Sequence, residues 1–159
     1  MAVNEQYGVC TPEQMAELSG LQLLQAMIDG RVPGPAISQT LGFRLVEVEA
    51  GRAVFEGDTG PHLLNPLGSV HGGFALTLID SAAGCAVHTL LAAGTGYTTV
   101  ETKANFTRAI SADAGTIRCE GRVLHHGRQI ATAEATLTGA DGKLLAHGTS
   151  TLIILPPRG

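Results

Sequence analysis

The chain has 159 residues, a length typical of one domain with a single hydrophobic core. With 44% hydrophobic and 15% charged residues and a formal net charge of −4, its composition excludes a disordered chain. It has no tryptophan and no dense basic patch, which argues against nucleic-acid binding. Residues 101–159 are mildly basic, with seven Lys or Arg against five Asp or Glu, which still allows one phosphorylated ligand.

The cysteines Cys10, Cys85 and Cys119 are odd in number and form no C-x-x-C pair. This usage is typical of the reducing cytoplasm, and the first residues lack the basic-then-apolar pattern of a signal peptide. Residues 72–93 are long and apolar enough to raise the question of a membrane span. Asp80 and His88 make that stretch a poor lipid-facing segment, so we expect a buried helix and a cytoplasmic protein.

The N-terminal part predicts one amphipathic helix over residues 11–29. Thr11 is the expected N-cap, Pro12 takes the first helical position, and Gln14 completes a capping-box pattern. Residues 31–36, RVPGPA, read as a linker-like bend. The following segment, GFRLVEVEAGRAVFEGD, alternates apolar and polar residues on either side of Glu49-Ala50-Gly51 and predicts a hairpin.

A loop rich in Gly, Pro and Asn precedes a central helix that is apolar nearly all the way round, which indicates burial on most sides. Four strands are predicted after it, at about 97–107, 114–125, 128–138 and 143–155. The order α-β-β-α-β-β-β-β is typical of an α+β fold. We expect a strongly curved antiparallel sheet wrapped around the central helix.

Asp80 is the only residue with a fixed charge at neutral pH between Val70 and Leu91. Desolvating a lone carboxylate is costly unless it has hydrogen-bond partners. Asp80 is therefore either a structural group, at an exposed seam of the helix or bonded to Ser81, Thr77 or the backbone, or a nucleophile or general base in a half-dry cleft.

The sequence His71-Gly72-Gly73 stands where the central helix begins. Backbone N–H groups at a helix start have no partner within the helix, and such a terminus can bind a carbonyl oxygen under attack. The structural alternative is a tight turn capped by His71. Gly72 and Asp80 are eight residues apart, about 12 Å along a helix, so they cannot easily serve one carbonyl within one chain. If both are catalytic, the site lies between two chains.

Other kinds of chemistry find little support. The remaining histidines show no metal-ligand spacing, so we expect no metal: His62, His88, His125, His126 and His147. Neither Ser69 nor Ser81 lies in a G-x-S-x-G elbow, and no phosphate-binding glycine loop is present. We therefore expect no cofactor.

The spacing of Asn65, His71-Gly72-Gly73 and Asp80 resembles that of the hotdog-fold acyl-CoA thioesterases of the PaaI-like, phenylacetic acid degradation-related family. The resemblance covers about residues 40–155, so we divide the chain into an N-terminal helical extension, 1–36, and a hotdog domain, 37–159. It implies a central helix wrapped by an antiparallel sheet, with homodimers joined edge to edge, often paired into homotetramers, and sites between subunits.

By position, the resemblance implies that Asp80 is the nucleophile or general base and Gly72 the N–H donor to the thioester oxygen. Asn65 would position water or the thioester, and His71 would support the turn. Thr99 would place a small hydroxyl near the attacking water. Several relatives carry Glu where this chain has Asp80, and the shorter side chain favours activation of water over direct attack.

The resemblance also implies that the turn HHGRQ approaches the CoA nucleotide, which makes Gly127, Arg128 and Arg158 candidate phosphate contacts. The leading function is hydrolysis of an acyl-CoA thioester with an aryl or a short or medium acyl group. The alternatives are an acyl-CoA binding or sensing protein without turnover, and a hotdog-fold dehydratase or hydratase.

Overall fold

The computed structural model describes residues 7–157. The helices in this range are α1 (Pro12–Glu17), α2 (Gly20–Ile28), α3 (Ala36–Leu41) and α4 (Gly72–His88), with a 3-10 turn at Pro61–Leu63. The strands are β1 (Tyr7–Gly8), β2 (Gly34–Pro35), β3 (Phe43–Glu49), β4 (Arg52–Asp58), β5 (Gly96–Phe106), β6 (Thr116–His126), β7 (Ile130–Thr138) and β8 (Leu144–Leu155).

Six strands form one antiparallel sheet in the order β3-β4-β6-β7-β8-β5. The predicted hairpin is β3 and β4, and the last three strands pair in sequence as expected. The strand that follows the central helix, β5, pairs with β8 and lies at the sheet edge opposite β3. The short strands β1 and β2 pair separately and in parallel.

The helix α4 packs against the strands from β4 to β8, and its residues Leu78, Ile79, Ala82 and Ala83 are fully buried. Helix and sheet approach each other closely at Gly121 in β6, where an added Cβ would lie 2.2 Å from the carbonyl oxygen of Ala82. Only glycine therefore allows this approach. The predicted α+β hotdog architecture, a curved antiparallel sheet around a central helix, is confirmed.

The prediction of a single helix over residues 11–29 is wrong in its continuity. Thr11 and Gln14 form the predicted capping box, but α1 ends at Glu17 and Leu18 is extended. Ser19 then caps a second helix, because its side chain accepts from the Gln22 N–H while the Gln22 side chain accepts from the Ser19 N–H. Two local capping boxes thus divide the segment into α1 and α2.

The segment read as a linker-like bend contains β2 and leads directly into α3, which was not predicted. Among residues 7–157 no helix combines the length and the hydropathy needed to cross a membrane.

Candidate active site

At the start of α4 the backbone N–H groups of Gly73 and Phe74 are engaged, and that of Gly72 is available. His71 is the N-cap, and its Nδ1 accepts a 2.8 Å hydrogen bond from the Gly73 N–H. The Gly72 N–H has no acceptor among residues 7–157. Because the helix dipole makes this end electropositive, the Gly72 N–H can donate to a developing oxyanion.

A cavity of about 340 Å³ lies beside this helix start. Gly72 lines it, and so do the loop before α4 and the segment that follows β5. A Cβ at position 72 would come within 3.3 Å of the Phe106 ring, so the glycine keeps the backbone open to a ligand beside that ring.

Asp80 faces strand β5 rather than its own helix. Thr102 Oγ1 donates a 3.0 Å hydrogen bond to Asp80 Oδ1, and Ser150 Oγ lies 2.8 Å from the same threonine oxygen. A carboxylate only accepts, so the single Thr102 proton goes to Asp80 and the Ser150 hydroxyl donates to Thr102. The half-buried carboxylate is therefore held by a chain of two hydroxyls that ends at the fully buried Ser150.

The partners that the structural interpretation of Asp80 offered are used differently. Thr77 Oγ1 donates to the Gly73 carbonyl oxygen at 2.8 Å, and Ser81 makes no hydrogen bond with Asp80. Further along α4, burial raises the pKa of the Cys85 thiol to about 12. The pKa of Tyr97 is also raised, first by burial of its hydroxyl and then by the neighbouring Cys85. Both groups are thus neutral at pH 7.

Asn65 lines the same cavity as Gly72, but its side chain is engaged within its own loop. Its Oδ1 accepts from the N–H groups of Leu67 at 2.9 Å and Ser69 at 3.3 Å, and its Nδ2 donates to Ser69 Oγ at 3.1 Å. In this arrangement Asn65 shapes the loop that leads to Gly72. Its role in positioning water or thioester stays a prediction.

Thr99 lies on β5, three residues before Thr102, and makes no side-chain hydrogen bond with residues 7–157. A bulge between Thr99 and Glu101 changes the register with β8, so that Thr102 pairs opposite Ser150. The hydroxyl that contacts the Asp80 carboxylate is therefore one that sequence reasoning missed. A bulge has no clear signal in this sequence, and without it residues 99 and 102 fall on opposite faces of the strand.

The proposed nucleotide contacts lie away from Gly72 within one chain. The turn with Gly127 and Arg128 precedes Ile130 of β7, which pairs with Ile153 of β8. Ile153 in turn pairs with Thr98 of β5. Phe106, beside Gly72, is eight residues further along β5, or about 26 Å. The Gly127 N–H donates to Ile130 O at 2.9 Å. The exposed Arg128 makes no ion pair within residues 7–157, and Arg158 lies outside the described residues.

In the part of the chain that the structure describes, no group of three or more His, Cys, Asp or Glu is arranged to hold a metal ion. What the site offers is therefore a half-buried carboxylate oriented by hydroxyls and, on the same helix, an unpaired N–H at the helix start. These are the parts that hydrolysis of an activated acyl group requires.

The fold and the site together define a hotdog thioesterase. The thioesterase superfamily model matches residues 67–146, from the loop before α4 to β8. The chain belongs to the thioesterase superfamily. The predicted resemblance to PaaI-like hotdog thioesterases and the prediction of a thioester hydrolase are confirmed.

Three similar proteins illustrate the match. A protein of Saccharolobus solfataricus named as an esterase is 33% identical over 119 residues, covering 75% of this chain and 83% of its own. A solved structure from Ralstonia eutropha JMP134, described as a phenylacetic acid degradation-related thioesterase, has a TM-score of 0.74 at 30% identity. The match covers 82% of this chain and 98% of that structure's chain. The structure of a Streptococcus pneumoniae TIGR4 thioesterase with coenzyme A has a TM-score of 0.69 at 25% identity. The match covers 78% of this chain and 94% of that structure's chain.

Proposed function

We propose that the protein hydrolyses an acyl-CoA thioester, with an aryl or a short or medium acyl group, to the free acid and CoA. The observation that carries the proposal is the placement of the unpaired Gly72 N–H and the oriented Asp80 carboxylate on one helix. The similarity to a thioesterase structure with coenzyme A supports the choice of CoA as the thiol.

In this proposal Asp80 acts on the thioester carbon in one of two ways. As a general base it takes a proton from water, whose oxygen attacks the carbonyl carbon; as a nucleophile its own oxygen attacks, and water then cleaves the mixed anhydride. In both cases the Gly72 N–H stabilises the oxyanion. The C–S bond breaks, the CoA sulfur takes a proton, and the acid is released.

The site is proposed to form between two copies of the chain. Gly72 and Asp80 are separated by about 12 Å along α4, too far for one carbonyl group to meet both within a subunit. The strand β5 carries Asp80's partner Thr102, and its outer edge has no strand partner among residues 7–157. On it Val100 and Phe106 are 51% and 56% exposed, an apolar surface suited to edge-to-edge pairing with a second β5.

A symmetric dimer of this kind places Asp80 of one chain near Gly72 of its neighbour and creates two sites. We further propose that two dimers pair into a homotetramer. The cationic residue Arg128 and the turn at Gly127 remain proposed contacts for the nucleotide part of CoA.

The first experiment measures thiol release from a panel of aryl and aliphatic acyl-CoA substrates. Asp80→Asn should reduce turnover by about three orders of magnitude or more while CoA binding and the unfolding midpoint stay close to those of the wild type. Thiol release at the wild-type rate would contradict the assignment of Asp80. Binding of the esters by the wild type without thiol release would favour a sensing protein.

A complementation experiment tests the site between chains. Gly72→Pro removes the N–H at a first helical position that accepts proline, and His71 already has the extended conformation that precedes proline. Gly72→Ala keeps the N–H and adds the same Cβ beside Phe106 that proline adds, so the difference between these two variants reports the N–H alone. Equal amounts of Asp80→Asn and Gly72→Pro chains, unfolded and refolded together, should regain about a quarter of wild-type activity, since half of the dimers then hold one intact site. No recovery in mixed dimers would place both groups in one subunit.

A further inference from the structure

The cavity beside Gly72 carries one positive charge and no negative one. Of the residues that line it, Arg108 is charged and the others are neutral. Arg108 is exposed, and its guanidinium makes no ion pair or hydrogen bond with residues 7–157. An anionic group that enters this cavity therefore meets an available cation, with no carboxylate in the wall to oppose it.

Most arginines of the described residues, unlike Arg108, have a carboxylate partner. Ion pairs with Asp or Glu engage Arg31, Arg44, Arg52, Arg118 and Arg122. Within residues 7–157 only Arg108 and Arg128 have no such partner, and of these two only Arg108 lines the cavity. Since the net charge is −4 and acidic residues outnumber basic ones, an unpaired arginine at the site is not explained by a shortage of carboxylates.

The backbone that carries Arg108 is fixed on both sides. The N–H groups of Thr107 and Arg108 both donate to the Leu145 carbonyl oxygen, at 2.9 and 3.2 Å. Two residues later, Ile110 O accepts a 2.8 Å hydrogen bond from the Val70 N–H, which ties the segment to the loop before α4. The side chain thus extends from a backbone that needs no ordering when a ligand binds, which reduces the entropic cost of binding.

We propose that Arg108 binds a phosphate group of the CoA part of the substrate at the mouth of this cavity. The inference rests on the proposed function, because it takes CoA as the thiol. A guanidinium forms paired hydrogen bonds with phosphate oxygens and keeps its charge at every relevant pH. Arg108 belongs to the chain that supplies Gly72, so that chain holds both the oxyanion donor and an anchor for the thiol portion.

The test compares CoA thioesters with the N-acetylcysteamine thioester of the same acyl group, which carries no phosphate. Arg108→Gln should raise KM for the CoA thioester about tenfold with little change in kcat, and should leave the N-acetylcysteamine thioester unaffected. Arg108→Lys keeps the charge, and its KM for the CoA thioester should lie between those of the wild type and Arg108→Gln. Arg31→Gln removes an exposed arginine of the N-terminal extension and is the matched control.

Two additional arms make the result specific. Dephospho-CoA thioesters lack the 3′-phosphate: an undiminished effect of Arg108→Gln on them assigns the contact to the pyrophosphate, and a lost effect assigns it to the 3′-phosphate. Raising the salt concentration should increase the KM for the CoA thioester more in the wild type than in Arg108→Gln, because salt screens the contact between arginine and phosphate. The proposal is overturned if Arg108→Gln changes KM equally for both thioester classes or for neither.

Titration of free CoA separates this inference from the proposed function. If the wild type releases no thiol from any substrate but Arg108→Gln weakens CoA binding about tenfold, hydrolysis is refuted and the phosphate contact stands. If the wild type is active but both proteins bind CoA with the same Kd, the phosphate contact is refuted and hydrolysis stands. A wild type that does not bind CoA refutes both.

Discussion

Thr102 Oγ1 donates to Asp80 Oδ1 at 3.0 Å, and the same oxygen lies 2.8 Å from Ser150 Oγ. The contact joins the central helix to the edge strand β5, so the position of the carboxylate depends on the register of β5 against β8. Because Ser150 is only 1% exposed, the far end of the hydroxyl chain is shielded from water, and competing hydrogen bonds are excluded there.

Thr102→Val should lower kcat for thioester hydrolysis by about tenfold, because Asp80 loses the donor that orients it. KM should change little, since the threonine hydroxyl orients the carboxylate and is not proposed to bind the substrate. Steady-state kinetics on the best acyl-CoA substrate measure both constants.

The conservative variant separates orientation from packing. Thr102→Ser keeps the hydroxyl and should retain most of the turnover, whereas Thr136→Val removes an exposed threonine hydroxyl from β7 and should behave as the wild type. A valine at position 102 that leaves kcat unchanged would show that this contact does not contribute to catalysis.

Gly121→Ala should destabilise the fold by about 3 kcal/mol or more. The added Cβ would lie 2.2 Å from the Ala82 carbonyl oxygen, and helix and sheet must separate because the helix atoms that it meets are backbone atoms of Ala82 and Ala83. Urea unfolding measures the loss, and failure to recover folded protein is the extreme of the same outcome. At Gly96→Ala the added Cβ meets only Leu155 Cβ at 3.9 Å, so this control should cost far less. Equal free energies of unfolding for the two variants would contradict the close approach.

Glu47 should make stability depend on pH in the acid range. Hydrogen bonds from Arg118 and then Arg52 hold the pKa of Glu47 below its ordinary value. The unfolded chain therefore binds this proton more readily, so the stabilisation is present above about pH 4.3 and is lost as the pH falls through the folded-state pKa. Glu47→Gln should lower the free energy of unfolding at pH 7 and flatten its decline below that pH.

Urea unfolding at a series of pH values between 7 and about 3 tests this prediction. Glu134→Gln removes an exposed carboxylate that has no arginine or lysine partner among residues 7–157, and it should keep the wild-type decline. An identical acid slope for Glu47→Gln and the wild type would show that the ion pairs on the outer face of the sheet do not carry the dependence.

Features that depend on neighbours in the chain were predicted closely. The capping box at Thr11, the β3–β4 hairpin and the glycines at the start of α4 each follow from residues within about four positions of one another. The second capping box at Ser19 carries the same kind of local signal, and giving it weight would have divided the N-terminal helix correctly.

The partner of Asp80 and the surroundings of Gly72 could not be predicted in this way. Thr102 is twenty-two residues from Asp80 and Ser150 forty-eight from Thr102, and their meeting depends on a bulge in β5. Arg108 is a candidate for binding a ligand only because folding places it, without an ion-pair partner among residues 7–157, in the cavity that Gly72 also lines.

By itself the sequence determined that one carboxylate must lie on a buried helix whose first turn exposes backbone donors, because helical periodicity and capping are local properties. Tertiary structure decided which hydroxyl orients that carboxylate, which arginines of residues 7–157 have no ion-pair partner, and which two strands lie at the edges of the sheet. Those outcomes follow from strand register and long-range packing, in which a shift of one residue moves a side chain to the other face of the sheet.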